Sequence, residues 1–260
     1  QQQQQQQQAR NGNFKEISAT ETIKNSNNNS DNKKSYKLHR KSARHGARNQ
    51  DRHKELAKWL MKEFSSIQTI LDVGGGGKAE LASRLIMCHK IEVTVVDPRP
   101  AEVPETFINL VLPKLPKKHQ QRIKKKLQDD DAFVASIVKE RLRQLQIYFD
   151  GITTTNSQPL KDAIHKCDLV LGMHADGAVE WIVDICLEAG KPFVVVPCCV
   201  FPNFFPGRRL LIGSPVRTWE QFCDYLMEKG EKKGHVLERH ELPFQGRNIA
   251  IVWRGNFAAI

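Results

Sequence analysis

No stretch of the 260 residues holds the roughly 18 consecutive apolar side chains that a membrane-spanning helix needs. The opening residues carry no apolar core of a secretory signal, and they are too poor in arginine and amphipathic pattern for a transit peptide. A cytoplasmic or nuclear protein is therefore expected. None of the six cysteines stands in a Cys-x-x-Cys spacing, and most lie inside apolar stretches. That argues against a disulfide framework or a zinc knuckle and fits a reducing compartment. Hydrophobic residues make up 40% of the chain, too few for a sequence compact throughout, and much of the deficit lies in the first fifty residues.

Residues 1–8 are all glutamine, and "NSNNNSDN" at 25–32 is almost purely polar. Neither can bury enough apolar surface to offset the entropy of ordering, so a disordered tail is expected over 1–48. From Lys33 to Lys54 the tail turns basic. Acids are scarce overall: 29 against 40 lysines and arginines, a net charge of +11. That balance favours a polyanionic partner such as nucleic acid, or serves solubility alone. The remainder, 49–260, is long enough for one domain with a sizeable core.

Order is expected to begin near Asp51, where Leu56, Trp59, Leu60 and Phe64 fall at helical spacing. "IQTILDV" reads as a buried strand, "KAELASRLIM" as a helix and "KIEVTVVD" as a second strand. This strand–helix–strand order implies parallel pairing. An inserted helical arm, 113–145, follows. Its first part carries Lys117, Lys118, Arg122, Lys124, Lys125 and Lys126 without an intervening acid; its second part places Phe133, Ile137, Val138, Leu142 and Leu145 on one face. "LQIYFDG" reads as the third strand, "DLVLGMH" as the fourth and "KPFVVVPCCVF" as the fifth. A helix between the last two ends at Gly190. Thr218 and Gln221 form a capping-box pattern, and "HVLERHELPF" with "IAIVWRG" reads as a terminal antiparallel hairpin.

Four glycines, Gly74 to Gly77, sit where the first strand meets a helix. An open α/β sheet binds ligands there, because glycine lets a backbone bend sharply and lets a ligand approach it. A phosphate-binding P-loop is excluded: Asp72 stands where its first glycine belongs, and Ala79 where Ser or Thr would hold magnesium. A dinucleotide loop, G-x-G-x-x-A, is satisfied, with Asp97 near the position of a ribose-binding acid. The alternative is D-x-G-x-G, supplied by Asp72, Gly74 and Gly76, which suits S-adenosyl-L-methionine. The antiparallel hairpin favours this second reading, since the dinucleotide fold has no reversed last strand.

The ordered part of the chain resembles the class I SAM-dependent methyltransferases through "DVGGGGKAELA". Through "GMHADGA" and "VVVPCCVF" it is similar to a loosely characterised group within them that includes a tRNA 2′-O-methyltransferase type. The resemblance implies an α/β, Rossmann-like sheet in the order 3-2-1-4-5-7-6 with the last strand antiparallel, here carrying a basic helical insertion and a disordered N-terminal tail. For S-adenosyl-L-methionine, Asp72 suits the cationic methionine end beside Gly74, Gly75 and Gly76; Asp97 could accept from both ribose hydroxyls, or is a turn aspartate before Pro98; Asp150 could receive the adenine amine, or is a plain turn residue; and His174 stands at the same rim. RNA as partner rests on the basic tail, the basic arm and the resemblance together. The glycine loop is one residue longer than the family pattern, with Lys78 and Ala79 near the third glycine.

In that order, strands one, four and five are neighbours, and three polar groups converge on one rim. His174 is a candidate general base, or a histidine bonded beneath the cofactor. Asp176 is a candidate to orient it or bind the acceptor, or caps the next helix. Cys198 is a candidate nucleophile, or Cys198 and Cys199 are small packing residues. Adjacent cysteines on a strand point to opposite faces, so no shared metal is expected. Arg208 and Arg209, beside Phe201, Phe204 and Phe205, could hold phosphate while the rings stack on bases. Asn-Pro-Pro-aromatic, the signature of exocyclic-amine methylation, is absent. The rival readings are an RNA-binding protein of this fold without turnover, and a dinucleotide-dependent oxidoreductase.

Overall fold

The computed structural model describes residues 49–255; the glutamine-rich and basic tail over 1–48 lies outside them. A short 3-10 turn, Asn49–Asp51, leads into helix α1 (Arg52–Glu63), which buries Leu56, Ala57 and Leu60 on one side. Among the described residues, seven strands form one sheet: β1 (Thr69–Val73), β2 (Glu92–Val96), β3 (Leu142–Leu145), β4 (Leu169–Met173), β5 (Phe193–Val196), β6 (Glu238–Glu241) and β7 (Ile249–Trp253). Their order is β3-β2-β1-β4-β5-β7-β6. The first five run parallel, and β7 pairs antiparallel with both β5 and β6.

The sheet is buried on both faces, as parallel sheets are, which is why β1, β2, β4 and β5 read as apolar runs. Alternation along the strands divides the core in two. Ile70, Val93, Val95, Leu169, Leu171, Val194 and Val252 face α1, helix α2 (Glu80–His89) and helix α5 (Phe133–Arg141). Leu71, Val73, Val170, Phe193, Val195 and Ile251 face helices α7 (Gln158–Lys166), α8 (Ala178–Ala189) and α9 (Trp219–Lys232). Between β2 and α5 lie the one-turn helix α3 (Val103–Thr106), a π turn (Phe107–Val111), a 3-10 turn (Leu112–Lys114) and helix α4 (Lys117–Asp129). Among the described residues, no helix is long and apolar enough to cross a membrane.

Local signals hold at several ends. Gly190 closes α8 in the left-handed region, φ 67°. Thr218 and Gln221 form both bonds of the capping box of α9.

Four expectations are corrected. The third strand is Leu142–Leu145, not "LQIYFDG": α5 ends at Arg141, and the next four residues pair in parallel with Val93–Val96. The inserted arm therefore does not extend to 145. Val134 and Val138 bury α5 in the core, and only α4 has no buried residue. Helix α2 starts at Glu80, because Lys78 and Ala79 are spent completing the long glycine turn, Ala79 at φ 47°. Finally, β5 stops at Val196, so Cys198 and Cys199 lie beyond the strand.

Candidate functional site at the carboxyl rim

Val73 pairs with Val96, and Met173 with Val196, so the residues that follow β1, β2, β4 and β5 leave the sheet along one edge. Neighbouring strands are about 4.8 Å apart, so these four exits share one rim. The glycine loop is threaded between them. Gly74 donates its N–H to the Val96 carbonyl, 2.9 Å, with φ 76°. A Cβ there would lie 2.9 Å from the Ala175 backbone, so the β1 and β4 loops touch only because that residue is glycine. Gly76 donates to Asp97 Oδ2 at 3.0 Å, and a Cβ on it would collide with the same carboxylate.

The two acids differ in state. Asp72 is 1% exposed, lies beneath Gly75, and its Oδ2 has no partner. Burial, and then the charge of Asp97, pushes its carboxyl up to about 7. Asp97 is equally buried but saturated. Arg99 reaches it through its backbone N–H (2.8 Å), Nε (3.0 Å) and Nη2 (3.0 Å). Burial opposes its charge, yet the bonds from Arg99 and Gly76 outweigh that and hold the pKa low. The Arg99 side chain itself is 68% exposed.

The β4 loop is built on two left-handed non-glycine residues, His174 at φ 55° and Asp176 at φ 46°. Each such conformation costs on the order of 1–3 kcal/mol and persists because its surroundings impose it. The His174 N–H is tied to the Val196 carbonyl at 3.1 Å, while its ring Nδ1 is buried without a partner. Burial first, then Arg52, His53 and Arg247, pushes the imidazole down to about 4 against the pull of Asp176. Asp176 does not cap α8; Gly177 occupies that position without a side-chain bond. Instead its Oδ1 lies 3.6 Å from Cys198 Sγ, which lies 3.3 Å from Cys199 Sγ. Once off the strand, the two sulfurs are free to converge, contrary to the opposite-face argument. Burial, then Cys199 and Asp176, pushes the Cys198 thiol up to about 12, so it is not a ready nucleophile.

The remaining expected residues are held by other contacts. Asp150 caps helix α6 (Gly151–Asn156), accepting from Thr153 N–H at 2.6 Å, five residues beyond the end of β3. Lys117, Lys118, Arg122, Lys124, Lys125 and Lys126 are all exposed on α4. Arg209 is exposed and bonds the Gly213 carbonyl. Arg208 is not a free cation. It is 5% exposed, paired with Glu180 Oε2 at 2.7 Å, bonded to the Val200 carbonyl at 2.7 Å, and stacked 3.7 Å from the Phe205 ring centre. Its Nη2 has no partner. Phe205 and Arg208 stand between a cavity of about 280 Å³, which Glu180, Trp181 and Tyr225 also line, and one of about 610 Å³ bordered by Asn203, Pro215 and Arg217. Neither cavity is lined by the glycine loop.

Sequence reasoning missed Arg99, although its place two residues after Asp97 is the usual reach of an Asx-type turn. It also missed Glu180, whose partners stand 28, 45 and 49 residues away.

No family model matches the chain, and no curated protein does. Solved structures do. The methyltransferase domain of bacterial CtHen1 is 15% identical over 78% of this chain and 97% of that one, with a TM-score of 0.45. An O-methyltransferase family protein from Burkholderia thailandensis is 11% identical over 76% of this chain and 55% of its own, TM-score 0.40. A variant of MtNAS in complex with S-adenosylmethionine is 11% identical over 77% and 60%, TM-score 0.38. By the order of its strands and by the reversed β7, the chain has the Rossmann-like fold of class I SAM-dependent methyltransferases.

Proposed function

We propose that this protein transfers a methyl group from S-adenosyl-L-methionine to RNA. The observation that carries the reading is the pair of buried acids, Asp72 and Asp97, at the tips of adjacent strands, with the glycine loop between them.

The residues fit that cofactor. The unpartnered Asp72 Oδ2 is an acceptor suited to the cationic methionine end, whose charge would offset the cost of ionising a buried carboxyl. Asp97 suits the ribose hydroxyls once the exposed Arg99 side chain swings away. When bound, the cofactor supplies a methyl group on a sulfonium. The chain must align the acceptor with it, and positioning of that kind supplies much of the acceleration. His174 is neutral at physiological pH, and its buried Nδ1 lacks a partner that a hydroxyl entering the rim would supply. A base this weak orients a hydroxyl better than it deprotonates one.

RNA is supported by α4, where six exposed cations face solvent with a single acid, Asp129, at the far end. Phe204, 73% exposed, and Arg209 add an aromatic and a charge beyond β5.

A second reading, RNA binding without turnover, draws on the Arg99 lock on Asp97. Tritiated-methyl transfer from SAM into fractionated cellular RNA, with nucleoside analysis, separates the two. Label in one nucleoside is the expected result. RNA and SAM binding without label would favour the non-catalytic reading, and calorimetry showing NAD binding but no SAM binding would overturn both.

A further inference from the structure

We propose that Asp176, Cys198 and Cys199 form a binding site for a thiophilic divalent cation, zinc by preference. The inference does not depend on methyl transfer. It starts from geometry: one ligand atom from each residue lies within 4.8 Å of the others. With Zn–S near 2.3 Å and Zn–O near 2.1 Å, a tetrahedral ion sets its sulfurs about 3.8 Å apart and sulfur and oxygen about 3.6 Å apart. The observed separations are 3.3 Å between the sulfurs and 3.6 Å from Cys198 Sγ to Asp176 Oδ1. The sulfurs need open by only about half an ångström.

A disulfide between the two cysteines fits less well. It requires the sulfurs to close to about 2.05 Å, and it favours Cα atoms at least about 4.4 Å apart. Consecutive residues across a trans peptide are held at about 3.8 Å. It would also leave Asp176 without a role.

The fold brings the three ligands together from two strand exits. Asp176 follows β4 and the cysteines follow β5, which is its hydrogen-bonded neighbour. The left-handed backbone at Asp176 accompanies its departure from the helix cap toward Cys198. On binding, each thiol loses its proton to solvent and forms a metal–sulfur bond, and the carboxylate adds the third bond. One residual negative charge remains, at a site where Asp176 is exposed to solvent. Three protein ligands leave a fourth position for water or for an acceptor oxygen or sulfur, as in catalytic rather than structural zinc sites.

The test uses the untagged full chain, with neither SAM nor RNA, so its outcome is independent of the methyl-transfer reading. After dialysis against metal-free buffer and titration with zinc, one ion per chain is expected. Cobalt in its place is expected to show thiolate-to-metal charge transfer and the intense visible bands of a tetrahedral ion. Cys198→Ser and Cys199→Ser should each remove most of the charge transfer, and Asp176→Ala should weaken binding roughly tenfold or more. Cys88→Ser, at an exposed cysteine away from the site, should change nothing. Absence of stoichiometric zinc, a cobalt spectrum without thiolate bands, or unchanged binding in the Cys198→Ser protein overturns the proposal. So does a mass two daltons low in a chain that takes up no metal, which identifies the disulfide. The wild-type spectra decide the matter even if a variant fails to fold.

Discussion

Asp72 is buried and Glu180 half-buried, and their surroundings send the two carboxylates in opposite directions. Glu180 accepts from Arg208 Nε at 2.7 Å, Tyr225 hydroxyl at 2.6 Å and Lys229 Nζ at 2.7 Å. Burial opposes its charge, but those bonds prevail and its pKa falls. Asp72 has an orphan oxygen, and burial first, then the charge of Asp97, lifts its pKa to about 7. A satisfied, half-buried charge welds α8, α9 and the loop after β5 into one frame. An unsatisfied one, on the rim, costs stability and is better explained by something that binds there.

The first way to break this contrast is to orphan Arg208. Glu180→Ala leaves that guanidinium buried without its partner, and urea unfolding should show a loss of about 3–5 kcal/mol. Repairing the other acid should do the reverse. Between pH 3.8 and about 7 the folded Asp72 binds more protons than the unfolded one, so its contribution falls as pH rises through that window. Asp72→Asn should therefore stabilise the chain on the order of 2–4 kcal/mol at pH 8 and little below pH 4, while weakening SAM binding. His174, pushed down to about 4, has the opposite slope: stability rises with pH from about 4 to 6.5. In wild type the two slopes oppose each other, and Asp72→Asn should expose the upward one in melts across that range.

Gly76→Val is a milder structural insult with a sharp functional edge. Its Cβ meets Asp97, so about 1–3 kcal/mol of stability is lost and SAM affinity measured by calorimetry falls more than about tenfold. Unchanged affinity would remove the loop from the site. The smallest stability effect belongs to α4. Lys118→Gln, Lys124→Gln and Lys125→Gln, all exposed, should each leave stability within about 0.5 kcal/mol. Each that touches phosphate should lower the salt slope of single-stranded RNA binding by about 0.7.

The legible parts of the fold were those where local pattern and burial agree. β1, β2, β4, β5 and β7 are buried runs of Val, Ile and Leu, and the terminal hairpin carries its turn at Gly246, φ 99°. β3 was not legible. It is an edge strand of sequence LRQL with partial burial, and the stronger apolar run "LQIYF" beside it drew the assignment. In the site, the acid–glycine–acid arrangement could be read from spacing. The strand placement of the cysteines could not be trusted, since "VVVPCCVF" continues an apolar pattern past the point where hydrogen bonding stops.

The amino-acid order alone was enough to set the alternation of strands and helices, the acids at the tips of β1 and β2, and the basic face of α4. These depend on periodicity, glycine and charge, which act within a few residues. Tertiary packing was needed to lock Arg99 onto Asp97, to bury Arg208 against Glu180, and to bring Asp176 beside two sulfurs 22 and 23 residues away. Those contacts depend on where separate strands end along a shared edge, a distance in space that no spacing along the chain encodes.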